Sequence, residues 1–133
     1  MSSQREIKSF EDLECWKACR EVKLFVSGVI KKFPPVEKYA LTDGMRRASR
    51  STTENLAEGY GRYHYQENIQ FCRISRGSLF ELIDQFITAK DEKYINDNEY
   101  QKGRELINKA IPLVNGYINY LVRAKNQPPP NNK

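Results

Sequence analysis

The sequence predicts an all-α fold, an antiparallel up-down-up-down bundle of four helices, and three observations carry that reading. Four stretches in turn place apolar residues at helical spacing. No alternating, strand-like pattern separates them. The connections between them are a few residues long, which for helices of this length favours antiparallel neighbours. At 133 residues the chain has the length of one ordinary domain and can bury a core without disulfides or a structural metal. The bundle is expected over residues 9–125, with residues 1–8 a flexible start. Residues 126–133 read as a disordered tail, because Pro128, Pro129 and Pro130 cannot continue a helix.

The first helix is expected from Ser9 to about Phe33. Ser9 offers a hydroxyl to the free amides of the first turn, and Asp12 sits three positions on, a short form of the capping box. Pro34 and Pro35 end it. At about 100° per residue, Cys15, Ala18, Cys19, Val22, Phe25, Val26, Val29, Ile30 and Phe33 share one face. Leu13, Trp16 and Leu24 project nearly opposite, a second apolar patch that one core would leave in water. The second helix, about Thr42 to Gly59, turns Leu41, Met45, Ala48, Thr52 and Leu56 inward, with Gly59 and Gly61 as its stop.

The third helix, about Tyr65 to Lys90, carries Ile69, Cys72, Leu79, Phe80, Ile83, Phe86 and Ile87 as its main stripe. Phe71, Ile74, Ser78, Leu82 and Ala89 widen the arc beyond that of a helix facing a single core. Asn96 or Asp97 caps a fourth helix to about Lys125, along Leu106, Ile107, Ala110, Ile111, Val114, Tyr117, Ile118, Leu121 and Val122. Pro112 inside it predicts a kink or a break. The wide third helix and the stray residues of the first predict self-association, with Leu13, Trp16, Leu24, Phe71, Ile74 and Leu82 at the interface.

Net charge is +5 with an isoelectric point near 9.1, so the average surface attracts polyanions. Nucleic acid is one partner this charge fits; a solvated basic surface with no such partner is the other reading. No apolar run approaches the roughly 18 residues that span a bilayer, and no charged segment leads into an apolar one at the start, so a cytoplasmic protein with no membrane partner is expected. Cys15, Cys19 and Cys72 are odd in number and lie within apolar stripes, as small core residues do.

Catalysis is not expected. His64 is the single histidine, and no glycine-flanked serine of the nucleophile-elbow type is present. Cys15 and Cys19 stand four apart but have no Cys or His pair nearby in sequence to complete a metal site. Gly59-Tyr60-Gly61 follows a helix and lacks the remaining positions of a phosphate-binding or dinucleotide loop. Glu54 and Glu58, one turn apart, read as partners of nearby arginines. No metal or cofactor is expected.

The segment from Arg46 to Arg76 is more informative. Arg46 and Arg50 share a flank of the second helix, Arg47 lies further round, Arg62 follows in the turn, and Arg73 and Arg76 stand on the third helix. A guanidinium grips phosphate through two hydrogen bonds and stacks on a base, which an ammonium cannot do. Tyr60, Tyr63, His64 and Tyr65 interleave the arginines with flat rings of the kind that stack on unpaired bases. The competing reading is local, with tyrosines filling a helix corner and arginines pairing with Glu54, Glu58 and Glu67. Arg76 projects into the apolar stripe, so it needs an acid, a subunit boundary or a solvent-filled channel.

Several of these residues form a known pattern. Phe10-Glu11-Asp12-Leu13 with Trp16, Phe33-Pro34, Tyr39 with Leu41-Thr42-Asp43, Arg46-Arg47-Ala48, Asn55-Leu56-Ala57-Glu58-Gly59, Gly77-Ser78-Leu79 with Glu81-Leu82, and Tyr94-Ile95 together resemble the bacterial four-helix family encoded in intervening sequences of large-subunit ribosomal RNA genes. The resemblance runs over roughly residues 10–124. It implies a protomer that assembles as a homopentamer with no established catalytic activity. It also implies kinship with accessory variability proteins of diversity-generating retroelements, where a basic pentamer binds a reverse transcriptase and nucleic acid. Ser51-Thr52-Thr53 replaces the family's proline-containing step, and Arg50 and Arg76 stand where the pattern is apolar. The reading that results is a non-catalytic, self-associating protein that binds RNA or DNA, with a reverse transcriptase as a further partner. Its alternative is a structural scaffold or interaction module with an acidic protein partner.

Overall fold

The computed structural model describes residues 6–127, and the expectations for residues 1–5 and 128–133 lie outside them. Four α-helices account for most of the described chain: α1 (Glu14–Val29), α2 (Leu41–Tyr60), α3 (Tyr65–Asp91) and α4 (Asp97–Asn126). No strand occurs among the described residues.

Ser9 opens the fold as expected. Its hydroxyl accepts from the Glu11 amide at 3.1 Å, and Asp12 returns the bond to the Ser9 amide. This box caps a single 3-10 turn, Phe10–Asp12, and not the long helix itself. At Leu13 the backbone is extended, with ψ 128°, and α1 begins after it. That break overturns the expectation for Leu13: a helical projection through residue 13 assumes a continuous helix, whereas the extended step turns the side chain into the core, 8% exposed. After α1 the chain passes through the 3-10 turns Ile30–Lys32 and Pro35–Glu37. The Glu37 carboxylate then caps α2 from outside, accepting from the Leu41 amide at 3.1 Å and from the Tyr94 hydroxyl at 2.9 Å.

The buried positions of α3 are Asn68, Cys72, Ser75, Leu79, Leu82, Phe86 and Ala89, with Ile69 and Ser78 beside them. Steps of four and three residues alternate along the first seven, a 3.5-residue repeat like that of knobs-into-holes packing. A straight 3.6-residue projection drifts about 20° from such a seam per heptad, enough over this helix to misplace its far end. Phe80 and Ile87, expected inside, are therefore 55% and 40% exposed. Leu82, expected at an interface, is fully buried in the protomer's own core.

Each helix packs against the two others adjacent in the ring α1, α2, α3, α4. One cavity gathers Leu13 before α1, Tyr60 ending α2, Tyr65 opening α3 and Leu121 late in α4. At the other end the rings of Phe33 and Tyr94 lie 5.4 Å apart, and Lys32 pairs with Glu99. The expected break at Pro112 does not occur, for α4 is one element through it. Pro112 and Asn108 face solvent, where water can satisfy the Asn108 carbonyl that loses its donor.

The α2–α3 seam is lined by hydroxyls. Ser49, Thr52 and Thr53 return their protons to the carbonyls of Arg46, Ser49 and Arg50, and Ser75 donates across the seam to the Thr52 carbonyl at 2.8 Å. Ser51 and Ser78 meet at 2.8 Å. Small, internally satisfied side chains let the two helices approach closely. The approach is tightest at Gly59, where a Cβ would stand 2.6 Å from Asn68 Oδ1 and 3.1 Å from the Asn68 carbonyl. Gly59 thus lies inside α2 and makes room for α3; Gly61, the C-cap, is the stop. No helix among the described residues is long and apolar enough to cross a membrane.

Candidate nucleic-acid interface

The bundle spreads the predicted arginines over several faces. Arg46 and Arg50, one turn apart on α2, line a groove with Lys23, Leu24 and Ser27 of α1 and with Ser49 and Glu54 of α2. Arg46 reaches Asp43 only at 3.9 Å, and among the described residues Lys23 and Arg50 make no ion pair. Three cations and the exposed Ser27 therefore face one carboxylate, the polar complement of a phosphate backbone, while the buried Ser49 spends its proton on the Arg46 carbonyl. Lys23, Ser27 and Ser49 escape a reading based on arginine spacing. Periodicity does place Lys23 beside Val22 and Val26 on the flank of α1, but its partner helix is known only from the fold.

Arg47 points away from this groove and holds Asp43 at 3.0 Å. Arg73 is exposed on α3. Arg76 is half-buried, and its Nη1 donates to Asn115 Oδ1 at 2.7 Å. It sits one step beyond the buried Ser75, on the flank of α3 that meets α4, so a neutral amide and partial solvation answer the need that a stripe position would have imposed. Arg62 lies at the end of the bundle, stacked 5.0 Å over the Phe71 ring and bonded through Nη2 to Glu58 at 2.8 Å.

Tyr60, Tyr63 and Tyr65 do come together. With Arg62 and His64 they rim a cavity of about 540 Å³. Tyr117 and Tyr120 of α4 form a further wall, their rings stacked 6.3 Å apart at an interplanar angle of 10°. Leu13, Asn68 and Leu121 are buried residues of the lining. Asn68 donates to the Tyr117 hydroxyl at 3.1 Å and accepts from the Cys72 thiol at 3.5 Å, which anchors the wall to the core. Burial pushes the Tyr117 hydroxyl up to about 12, so it stays protonated. Asn68, Tyr117 and Tyr120 carry no local signal of this role, because only folding brings α4 beside the α2–α3 turn.

The remaining interface expectations divide. Trp16 is half-buried, edge-on to Phe10 at 5.3 Å, and Phe71 lies beneath Arg62. Leu24 and Ile74 are 53% and 51% exposed. The three thiols are buried and unbridged. Burial raises Cys15 and Cys72 to about 12 and Cys19 to about 11, far from the thiolate that nucleophilic chemistry needs. Among the described residues no group of three or more His, Cys, Asp or Glu is placed to hold a metal ion.

The profile of the 23S rRNA-intervening sequence protein family matches residues 11–116, from the turn before α1 well into α4. The chain belongs to this family. Among curated proteins none matches it. The structure gives the motif Asn55-Leu56-Ala57-Glu58-Gly59 a physical meaning in this member of the family. Asn55 donates to the Ser51 carbonyl and hydroxyl, Leu56 is fully buried, Glu58 holds Arg62 and Gly59 admits α3. Tyr117, Tyr120 and Leu121 lie beyond the residues matched to the family.

Proposed function

We propose that this family member is a non-catalytic, self-associating protein that captures the phosphate backbone of RNA or DNA. The single observation that carries the reading is the α1–α2 groove, where Lys23, Arg46 and Arg50 converge with the Ser27 hydroxyl against Glu54, the one carboxylate of its lining. Three cations give a log affinity that falls with log salt at a slope of about −2 on single strands and nearer −3 on duplex. Replacing Arg46 and Arg50 by alanine removes about 1.5 from that slope and weakens binding, with the helical circular dichroism unchanged. Absence of RNA binding by the wild type at low salt refutes the reading.

Self-association rests on a second stripe of α3. Phe80 and Ile87 are exposed beside the half-buried Ile83, spaced as one helical face, and an apolar strip of this kind marks an interface. In this reading the protomer is an up-down-up-down bundle, supported by the shared cavity of helix ends, and the family resemblance favours a pentamer. Sedimentation of the wild type against Phe80→Glu with Ile87→Glu tests it: the variant dissociates, and a wild type already monomeric at micromolar concentration refutes it. Should the assembly hold while RNA is ignored at low salt, the scaffold with an acidic protein partner replaces the nucleic-acid reading. Service to a reverse transcriptase is the role the retroelement resemblance implies, and co-purification of such an enzyme with this protein tests it.

A further inference from the structure

The groove accounts for backbone charge and leaves the tyrosine cavity without a use. We propose that this cavity receives one unpaired nucleobase of a single-stranded nucleic acid, stacked on its tyrosine rings. The inference rests on the nucleic-acid reading above and goes beyond it, since it assigns a base-binding site and a preference for unpaired strands.

Size and chemistry both point to a flat ligand. About 540 Å³ lies within the range of small-molecule sites and is far too small for a duplex. Five tyrosines and His64 line the cavity, and among the described residues no carboxylate does. Tyr63, Tyr120 and Tyr65 leave 92%, 54% and 47% of their surfaces in water, so broad ring faces stand open at the rim. Aromatic faces of this kind accept any base, because every base has a π-face. The lining is not purely apolar: phenol hydroxyls can meet the donors and acceptors on a base edge. An aliphatic ligand would leave those groups unanswered.

Position argues for a base within a strand. Arg50 in the groove and Tyr60 at the cavity are ten residues apart on α2, about 15 Å at the helical rise, a span that a short run of nucleotides covers. Arg62 stands at the rim of the cavity, and only its Nη2 is engaged by Glu58. The other guanidinium donors make no hydrogen bond within the described chain, so a phosphate can share the group. A base held in a duplex would have to be flipped out at a cost of a few kcal/mol, which favours strands already unpaired.

The test uses the full chain with a short single-stranded RNA carrying 2-aminopurine, the matching duplex, and adenosine monophosphate as competitor. The expected result is quenching of the 2-aminopurine on binding. Tyr63→Ala with Tyr65→Ala then lowers single-strand affinity about 5- to 150-fold and abolishes the quenching, leaving duplex affinity unchanged. Tyr63→Phe with Tyr65→Phe retains both, because the ring faces remain. Single-strand binding unaltered by the alanine pair, while Arg46→Ala with Arg50→Ala still weakens it, overturns the base site and leaves the phosphate reading standing. Equal competition by free mononucleotide, at matched nucleotide concentration, overturns the assignment to a strand. Failure of both strand forms to bind at low salt overturns the nucleic-acid reading together with this one.

Discussion

Replacing Gly59 by alanine tests the α2–α3 packing beside the tyrosine cavity, whose lining includes Tyr60 of α2 and Asn68 of α3. In a helix interior the exchange alone favours folding by about 1 kcal/mol. Here the new Cβ would lie 2.6 Å from Asn68 Oδ1, 2.9 Å from Phe71 Cβ and 3.1 Å from the Asn68 carbonyl. Two of these are atoms of, or directly attached to, the α3 backbone, so no flexible chain end can yield, and α2 and α3 must part. Overpacking of this kind costs about 1–3 kcal/mol, and a rigid neighbour places the cost at the upper end. The net loss is therefore about 1–2 kcal/mol. Urea unfolding followed by circular dichroism reads it as a midpoint lowered by about 0.5–1 M. Gly77→Ala and Gly116→Ala serve as controls, for nothing lies within 4 Å of a Cβ at either position, and each gains up to about 1 kcal/mol. A Gly59→Ala protein as stable as these controls refutes the close approach of α2 to α3, and with it the role assigned to the glycine of the family motif.

Other perturbations have equally definite outcomes. Phe86→Ala removes a fully buried ring beside Phe25 and lowers stability by about 3–5 kcal/mol, measured by the same unfolding curve. Asn96→Ala removes the side chain that accepts from the Glu99 amide at 2.8 Å and costs about 1 kcal/mol, seen as a lower thermal midpoint. In alkali, the thiols of Cys15, Cys19 and Cys72 stay protonated in the fold up to about 12, 11 and 12, whereas unfolded thiols ionise near about 8.5. Above that pH the unfolded state binds fewer protons than the folded one, so stability is constant below about pH 8 and falls by about 1.4 kcal/mol per pH unit for each thiol above it. Urea midpoints unchanged up to about pH 10.5 would contradict the burial of these groups.

Local chemistry makes much of the fold legible in the chain itself. The starts of α3 and α4 follow from Tyr65 after the Gly61 turn and from Asn96, and Ser9 with Asp12 marks the 3-10 turn that precedes α1, since caps and glycines act within a few residues. Apolar periodicity likewise identifies Val22, Val26, Met45, Leu56, Ile69, Leu79, Ile107 and Val114 as core, all at most 1% exposed. Periodicity misleads where a local rule is carried past its range. A projection through Leu13 crosses a break in the helix, and the far end of α3 follows a seam whose period is slightly shorter than that of a straight helix.

Helical character, the starts of α2, α3 and α4 to within a residue, and the concentration of arginine and tyrosine between residues 46 and 76 can all be read from the chain, because each depends on residues near one another along it. Which of those residues meet is a matter of tertiary packing. Lys23 joins Arg46 and Arg50 across two helices, and Tyr117 and Tyr120 join Tyr60, Tyr63 and Tyr65 from the far end of the chain. Such pairings are set by how whole helix faces bury against each other, and no local pattern encodes the neighbour that a face will find.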